Sequence, residues 1–447
     1  LVFYSWWNIN YLPLLLFSIV INYCFSLILL NETKLEKFIS TKSILIIGIL
    51  FNLLLIKYFK YLLFFVSNFN YVFNLNFSIS YIALPLAISF FTFQQIAYLV
   101  ECHKSNFKAN PYHFIDYSLF VSFYPQLIAG PIVFHREMMP QFMNIKNKKN
   151  DYINISTGLF IFSIGLFKKV IIADNFSIFA NAGFDIYEKL NFFEAWCTSL
   201  SYTFQLYFDF SGYADMALGL ALLFNIKLPI NFFSPYKATN IQAFWRSWHI
   251  TLSRFLKDYV YIPFGGNKIS ENRTYFNLFL VFVIGGLWHG AGWTFVIWGG
   301  LHGSALIIFR LWKNFGLSIN GILAWLITFN FVNVAWVFFR AENFSDANKV
   351  LSGMLGLNGI LFPSNLERIQ IINSLGINFG PFFEDIPSKY LPLYILIGFI
   401  LVLIPKNSIQ LKDDFKPSFF NAIMLSIITI YSLSNISGYS EFLYFNF

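Results

Sequence analysis

Long uninterrupted apolar runs constrain this chain more than any other feature of its sequence. They recur from end to end, for example at residues 11–30, 43–66 and 393–404. The first two are each close to the roughly 20 residues that an α-helix needs to cross a bilayer core. A transmembrane β-barrel would show alternating rather than solid apolar segments, and a soluble core could not absorb so much apolar surface. The sequence therefore predicts an all-α, polytopic membrane protein.

The charge content agrees with this class. Charged residues make up 12% of the chain, against about 25% in soluble domains. At roughly 20 residues per membrane span, the sequence contains about ten or eleven candidate segments. They lie near residues 9–30, 43–66, 79–100, 115–134, 154–174, 193–224 (long enough for two short pieces), 275–290, 292–312, 320–339, 390–405 and 418–436. We expect a single membrane domain over residues 1–447, and a further apolar segment before Leu1 in the natural protein.

The basic residues are densest in two polar stretches, 136–151 and 225–273. In a soluble protein the net charge of +8 would suggest nucleic-acid binding. Here the positive charge falls in loops between spans, as the positive-inside rule predicts for cytoplasmic loops. We therefore place both stretches on the cytoplasmic side and expect no nucleic-acid partner.

No motif for a metal or for a tightly bound organic cofactor is visible. Cys24, Cys102 and Cys197 are isolated, so neither a disulfide framework nor a thiolate site is indicated. No histidine pair has metal-ligand spacing with an acid, and G-x-S-x-G and Walker sequences are absent. We expect neither a metal nor a resident cofactor.

The stretch 240–266 is too polar to be a span, because three basic residues and an acid interrupt it. On a helical wheel its large apolar side chains gather opposite Arg246 and Lys257. These side chains are Trp245, Trp248, Leu252, Phe255, Leu256 and Tyr259. The pattern predicts one amphipathic helix along the membrane surface, ended by Gly265–Gly266.

The segment "VIGGLWHGAGWTFVIWGGLHG" (283–303) places His289 at bilayer depth among seven glycines. An ionisable group there costs about 2.5–3.5 kcal/mol or more on insertion scales, which makes it a functional candidate. One interpretation is a structural imidazole that bonds a neighbouring helix. The other is a general base, because a pKa near 6.5 suits proton transfer at neutral pH. The glycines allow close helix approach or a cavity beside the ring.

Two further histidines have more ordinary interpretations. For His249, in the amphipathic stretch, a surface imidazole in the headgroup region is a strong alternative to a functional one. If one helix continued from His289 to His302, the two rings would lie about 140° apart around its axis. We expect His302 to be a packed, structural imidazole beside Trp298.

Asp209 and Asp215 lie in a strongly apolar segment, and buried carboxylates need partners. Arg246 and Arg254 are the obvious cations nearby in the sequence. We interpret the two acids as members of structural ion pairs or as residues that orient a catalytic histidine.

Five long motifs, in order, resemble the membrane-bound O-acyltransferase (MBOAT) family. They lie at residues 123–142, 205–224, 231–268, 285–303 and 335–347, among them "QLYFDFSGYADMALGLALLF" and "GGLWHGAGWTFVIWGGLHG". The resemblance covers nearly the whole chain. It is strongest to the bacterial branch of alginate and peptidoglycan O-acetyltransferases, and a teichoic acid D-alanyl transfer protein is a more distant relative.

The resemblance implies a ring of helices around a central funnel, with the amphipathic helix at one mouth. It implies that His289 is the catalytic histidine and that His249 is a second polar residue of the site, nearer the cytoplasm. Supporting roles are assigned to Asp209, Asp215, Arg246 and Trp288.

The implied reaction is acyl transfer in the bacterial cytoplasmic membrane. An acyl group, expected to be acetyl from acetyl-CoA, moves from a cytosolic thioester towards hydroxyls of an extracytoplasmic polysaccharide such as an alginate-like polymer or peptidoglycan. A periplasmic or membrane-anchored acetyltransferase is expected as a partner, and lipid surrounds the chain.

Two other classes stay open at this point. The first is a transporter or lipid-linked sugar flippase with a histidine proton relay, although no inverted repeat is visible. The second is a noncatalytic scaffold of a polysaccharide secretion complex, which would tolerate loss of His289. Release of free CoA from acetyl-CoA separates an acyltransferase from both.

Overall fold

The computed structural model describes residues 1–30, 39–104, 112–363, 378–380, 382, 383, 386, 390–436 and 443. Nearly all regular structure in these ranges is helical. The chain divides into two compact units. Unit 1 includes Leu1–Phe162 and Met216–Ile230, and unit 2 comprises Ser163–Asp215 and Asn231–Leu443. The prediction of a single domain is not tested by this division and stays a prediction.

Unit 1 is helical. Its helices are α1 (Val2–Trp7), α2 (Leu12–Leu30), α3 (Thr41–Ile56), α4 (Leu62–Phe73), α5 (Ile88–Lys104), α6 (Phe114–Ser122), α7 (Tyr124–Leu127) and α8 (His135–Met143), with a π-helical turn at Lys57–Tyr61. Asn22 on α2 and Asn52 on α3 donate to each other's side-chain oxygens at 3.1 and 2.6 Å. Such reciprocal amide bonds hold helices together where apolar contact gives no preference over lipid.

Two long helices, α9 (Tyr152–Phe167) and α11 (Phe192–Leu222), contribute residues to both units. A π-helical turn at Lys168–Ala173 leads from α9 to α10 (Asp174–Asn181), and a second one follows at Ala182–Ile186. The segment 193–224 is thus one helix of 31 residues rather than two short pieces.

Unit 2 contains the remaining helices. They are α12 (Ile241–Ser247), α13 (Ile250–Leu256), α14 (Glu271–His289), α15 (Trp293–Asn314), α16 (Gly321–Arg340), α17 (Phe344–Met354), α18 (Leu391–Leu403), α19 (Ser408–Asp414) and α20 (Phe419–Ser434), with a π-helical turn at Lys257–Tyr261. Two short strands, β1 (Phe362–Pro363) and β2 (Phe379–Gly380), pair in parallel.

Five helical stretches in the described residues are long and apolar enough to cross a membrane. They are Ile9–Leu30, Thr41–Phe73, Tyr152–Ile186, Trp293–Asn314 and Gly321–Arg340, and the bent pair α18–α19 could be a sixth. The chain is therefore a polytopic, all-α membrane protein. The count of ten or eleven spans is not confirmed. One candidate, 115–134, is broken, because Phe123 is extended and the short helix α7 then begins at Tyr124, with Pro125 in its first turn.

Helices α14 and α15 form a closely packed antiparallel hairpin. A Cβ on Gly286 would overlap the carbonyl oxygen of Phe295, and one on Gly299 would overlap that of Phe282. The two main chains therefore touch with no side chain between them. This is the close approach that the small-residue spacing predicts.

The prediction of one continuous amphipathic helix over 240–266 is wrong. The helix breaks at Trp248–His249 into α12 and α13, and Trp245, Trp248 and Leu252 are buried in the protein. The end of the segment is as predicted, since Gly265 and Gly266 both adopt positive φ.

Candidate active site

His289 is the last residue of α14 and lies at the turn of the hairpin. Gly290 and Gly292 are extended there, and α15 begins at Trp293. The condition under which His289 and His302 would be 140° apart on one helix is not met, because the chain reverses between them. The His289 ring is 2% exposed. It packs edge-on against Trp298 and Phe339, with ring centroids 5.2 and 5.0 Å away.

A cavity of about 620 Å³ in unit 2 reaches His289. Its walls come from α12, α13, α14 and α15. Buried His289 and Trp298 lie at its inner end, with Gly285 beside them. Four basic side chains line it elsewhere, namely Arg246, Lys257, Arg310 and Lys313. Since three of these four residues are exposed, the cavity runs from a cationic outer end to an aromatic inner end that holds an imidazole.

His249 lies at the break between α12 and α13 in a left-handed conformation, with φ of +42°. The alternative interpretation of a surface imidazole is excluded, because the side chain is fully buried. Its Nδ1 lies 3.3 Å from Oδ1 of Asn231, and Phe210 of α11 packs edge-on against the ring at 4.8 Å. Burial lowers the pKa of His249 to about 3, so the ring is neutral at physiological pH.

The two histidines of the resemblance are neighbours in space. Their ring centroids are 6.4 Å apart. Trp288 contacts both, with its ring centroid 4.8 Å from His289 and 6.1 Å from His249. His289 lines the cavity, whereas His249 is fully buried and is not among the lining residues, so His289 could meet a bound substrate and His249 could exchange a proton with it.

His302 is a packed imidazole, as expected. It is fully buried, and its Nδ1 accepts a hydrogen bond from Nε1 of Trp245 at 3.2 Å. Trp298 packs against its ring at 4.9 Å. The His302 ring accepts this hydrogen bond within a cage of aromatic side chains. It therefore holds α12 against α15.

Asp209 and Asp215 are both paired, as predicted, but with other cations. Lys168 Nζ lies 2.7 Å from Asp215, and Lys169 Nζ lies 2.7 Å from Asp209 and 2.8 Å from Asp174. The two lysines occupy the π-helical turn after α9, and both side chains reach carboxylates of α11. The expected partners Arg246 and Arg254 are therefore wrong, and Arg246 instead lines the cavity.

Sequence reasoning missed three contributors to the site: Asn231, Arg310 and Lys313. The two basic residues lie at the end of an apolar span, where they look like ordinary interfacial anchors. Asn231 lies 18 residues before its imidazole partner, and nothing in the spacing signals the contact. The paired lysines did leave a signal, since "KK" at 168–169 interrupts an apolar run.

A family model for membrane-bound O-acyltransferases matches residues 1–344. The chain belongs to the MBOAT family. It is therefore an acyltransferase, and the transporter and flippase interpretation has no support. As an MBOAT enzyme it is similar to the peptidoglycan O-acetyltransferase of Helicobacter pylori, with 51% identity over 100% of this chain and 90% of the relative.

Two other MBOAT relatives are less similar. The "probable alginate O-acetylase AlgI" of Pseudomonas aeruginosa is 39% identical over 83% of this chain and 71% of its own length. The teichoic acid D-alanyltransferase of Bacillus subtilis is 27% identical over 58% of this chain and 69% of its own length. The names of all three relatives describe acyl transfer to a cell-envelope or secreted polymer.

Proposed function

We propose that this MBOAT enzyme moves an acetyl group from acetyl-CoA on the cytoplasmic side of a bacterial inner membrane towards hydroxyls of peptidoglycan. The observation that carries the proposal is the cavity that joins His289 to four basic side chains. The full-length similarity to a peptidoglycan O-acetyltransferase supports this choice of acyl group and polymer.

In the proposed reaction, His289 takes the proton of an attacking hydroxyl. The hydroxyl oxygen bonds to the thioester carbonyl carbon, the C–S bond breaks, and the proton passes to the leaving thiolate. The thioester is already activated, so the protein mainly holds the two reactants in line, which can contribute roughly 7–11 kcal/mol. A general base adds about 10²–10⁴-fold in rate. No metal is needed for this step.

The basic side chains suit the donor. Acetyl-CoA carries phosphates at one end and the thioester at the other, and Arg and Lys bind phosphate by charge-assisted hydrogen bonds. Phosphates at the outer end would leave the pantetheine arm to run inwards past Phe282 and Leu306, which also line the cavity. We propose that a separate extracytoplasmic acetyltransferase completes transfer to the polymer, because donor and polymer lie on opposite sides of the membrane.

The test is direct. Purified enzyme in lipid vesicles should release free CoA from acetyl-CoA when an acceptor is supplied, and cells that lack the gene should lose O-acetyl groups from purified peptidoglycan. Loss from an exopolysaccharide instead would show that the acceptor is wrong. No CoA release from acetyl-CoA, with release from another acyl thioester, would show that the donor is wrong.

The paired variant Arg310→Gln and Lys313→Gln should raise KM for acetyl-CoA by about tenfold with little change in kcat. The charges act on donor binding and are partly screened, so each removal costs about 1 kcal/mol or less. The rise should shrink at high ionic strength. Lys268→Gln is the matched control, because Lys268 is exposed in the same unit but is not among the residues that line the cavity. An equal rise in KM for the Lys268→Gln control would show that Arg310 and Lys313 do not bind the donor.

A cysteine at Lys148 should be shielded from a membrane-impermeant thiol reagent in intact cells, because we propose that 136–151 faces the cytoplasm. A cysteine at Glu342 should react, since α16 crosses from the side on which α14 begins. Both are placed in a background in which Cys24, Cys102 and Cys197 are serine. Labelling is measured before and after lysis, and strong labelling at 148 in intact cells would reverse the orientation.

A further inference from the structure

Asn231 holds the break between α12 and α13 together. Its side-chain Oδ1 accepts from the Thr251 hydroxyl at 2.7 Å and from the Thr251 backbone N–H at 3.3 Å. Its backbone carbonyl accepts from the N–H of Ile250 at 3.0 Å. The same Oδ1 lies 3.3 Å from Nδ1 of His249. One buried residue thus contacts three consecutive residues, 249–251, where the chain leaves the break and enters α13.

These contacts fix which atom of the amide faces the imidazole. A backbone N–H can only donate, so the atom of Asn231 that faces Thr251 N is the oxygen and not the amide nitrogen. An amide oxygen can only accept. Nδ1 of His249 therefore carries the proton in this contact, and Nε2 is the unprotonated ring nitrogen.

We propose that Asn231 is a positioning residue that holds His249 as the Nδ1–H tautomer, with Nε2 as its proton-accepting atom. This inference rests on the proposed acyl transfer at this site. Among the described residues, His289 on α14 is a titratable group that faces His249, 6.4 Å away between ring centroids. Phe210 of α11 and Trp288 of α14 pack against the same ring. A fixed Nε2 acceptor lets His249 take up the proton that His289 collects from the hydroxyl.

A purely structural role must be separated from this one, since Asn231→Ala would damage the helix break in either case. Asn231→Asp separates them. The carboxylate keeps the shape and the acceptor for Thr251 but adds a negative charge beside the imidazole. An opposite charge stabilises imidazolium and raises the pKa of His249. The pKa of the buried ring starts at about 3, and a buried carboxylate in contact with it should raise that pKa by several units. Because the neutral ring is needed to accept a proton, the acidic limb of the pH–rate profile should then move upwards by about one pH unit or more.

Asn333→Asp is the matched control. Asn333 is also fully buried in unit 2, and its Oδ1 likewise accepts from a threonine hydroxyl, that of Thr203 at 2.7 Å. Any general effect of a new buried carboxylate should appear in this variant too. It should lower the amount of folded protein and leave the pH–rate profile where it is in the wild type.

The experiment measures CoA release from acetyl-CoA against pH for the wild type, both Asp variants and Asn231→Ala, per amount of folded enzyme. We expect a shifted profile for Asn231→Asp alone, and for Asn231→Ala a kcat about ten- to a hundredfold lower at unchanged KM. An unshifted Asn231→Asp profile overturns the inference. If that variant does not fold, a normal kcat per folded enzyme in Asn231→Ala overturns it instead. A wild type without CoA release means that the proposed function has failed.

Discussion

His289→Ala should nearly abolish acetyl transfer while the protein stays folded in the membrane. Loss of a general base costs about 10²–10⁴-fold in rate. The side chain lies at the end of a helix and beside a cavity, so its removal enlarges existing space rather than opening a void in a packed core. The measurement is O-acetylation of the polymer together with the amount of enzyme in the membrane.

Alanine variants of the other two histidines test whether His289 is the correct choice. His249→Ala should also impair transfer severely, with donor binding partly retained. His302→Ala should act on stability instead, because it deprives Trp245 of its acceptor in a packed aromatic cage. Near-normal acetylation in the His289 variant at wild-type protein level would refute the catalytic assignment. Loss of turnover per folded enzyme for His302→Ala alone would mean that the wrong histidine has been chosen.

Asp215→Ala should lower stability strongly, because it leaves the ammonium group of Lys168 without its carboxylate in a buried site. The two side chains are 12% and 5% exposed, and breaking such a pair typically costs about 3–5 kcal/mol. Asp209→Ala should cost less, since Lys169 keeps Asp174 at 2.8 Å. Thermal unfolding of the detergent-purified protein gives the order.

The control is to remove both charges of the stronger pair at once. Lys168→Met with Asp215→Leu should recover most of the stability lost in Asp215→Ala, because no isolated charge remains buried. If Asp215→Ala accumulates normally and only turnover falls, the ion pair is not structural and the carboxylate belongs to the chemistry.

Much of this fold could be read from the sequence, because apolar length and charge are local properties. The spans over 9–30, 292–312 and 320–339 correspond to helices within a few residues. The break at Trp248–His249 could not be read, because no glycine or proline marks it and the apolar period continues through it. Asn231 stabilises the break through hydrogen bonds that exist only once the chain has folded.

The site, like the fold, could be predicted from the sequence only in part. His289 stood out because an imidazole at bilayer depth is costly. The partners of Asp209 and Asp215 could not be read from the sequence, because the cations expected from the sequence are not the ones nearest in space. Arg246 follows Asp215 by 31 positions, whereas Lys168 precedes it by 47, yet the π-helical turn brings the lysine to the carboxylate. Distance along a helical membrane chain says little about which charges meet.

Main chains in direct contact leave α14 and α15 no room to slide or swing apart without losing their packing. The wall of the cavity that carries His289 is therefore expected to stay fixed during turnover. Motions that admit a long donor and let it leave must come from the facing wall. There α13 has seven residues and meets α12 at a break, and α12 is itself held against α15 through His302. A few backbone rotations at His249 can therefore tilt α13 against α12. The enzyme thus pairs an immobile catalytic wall with a hinged one.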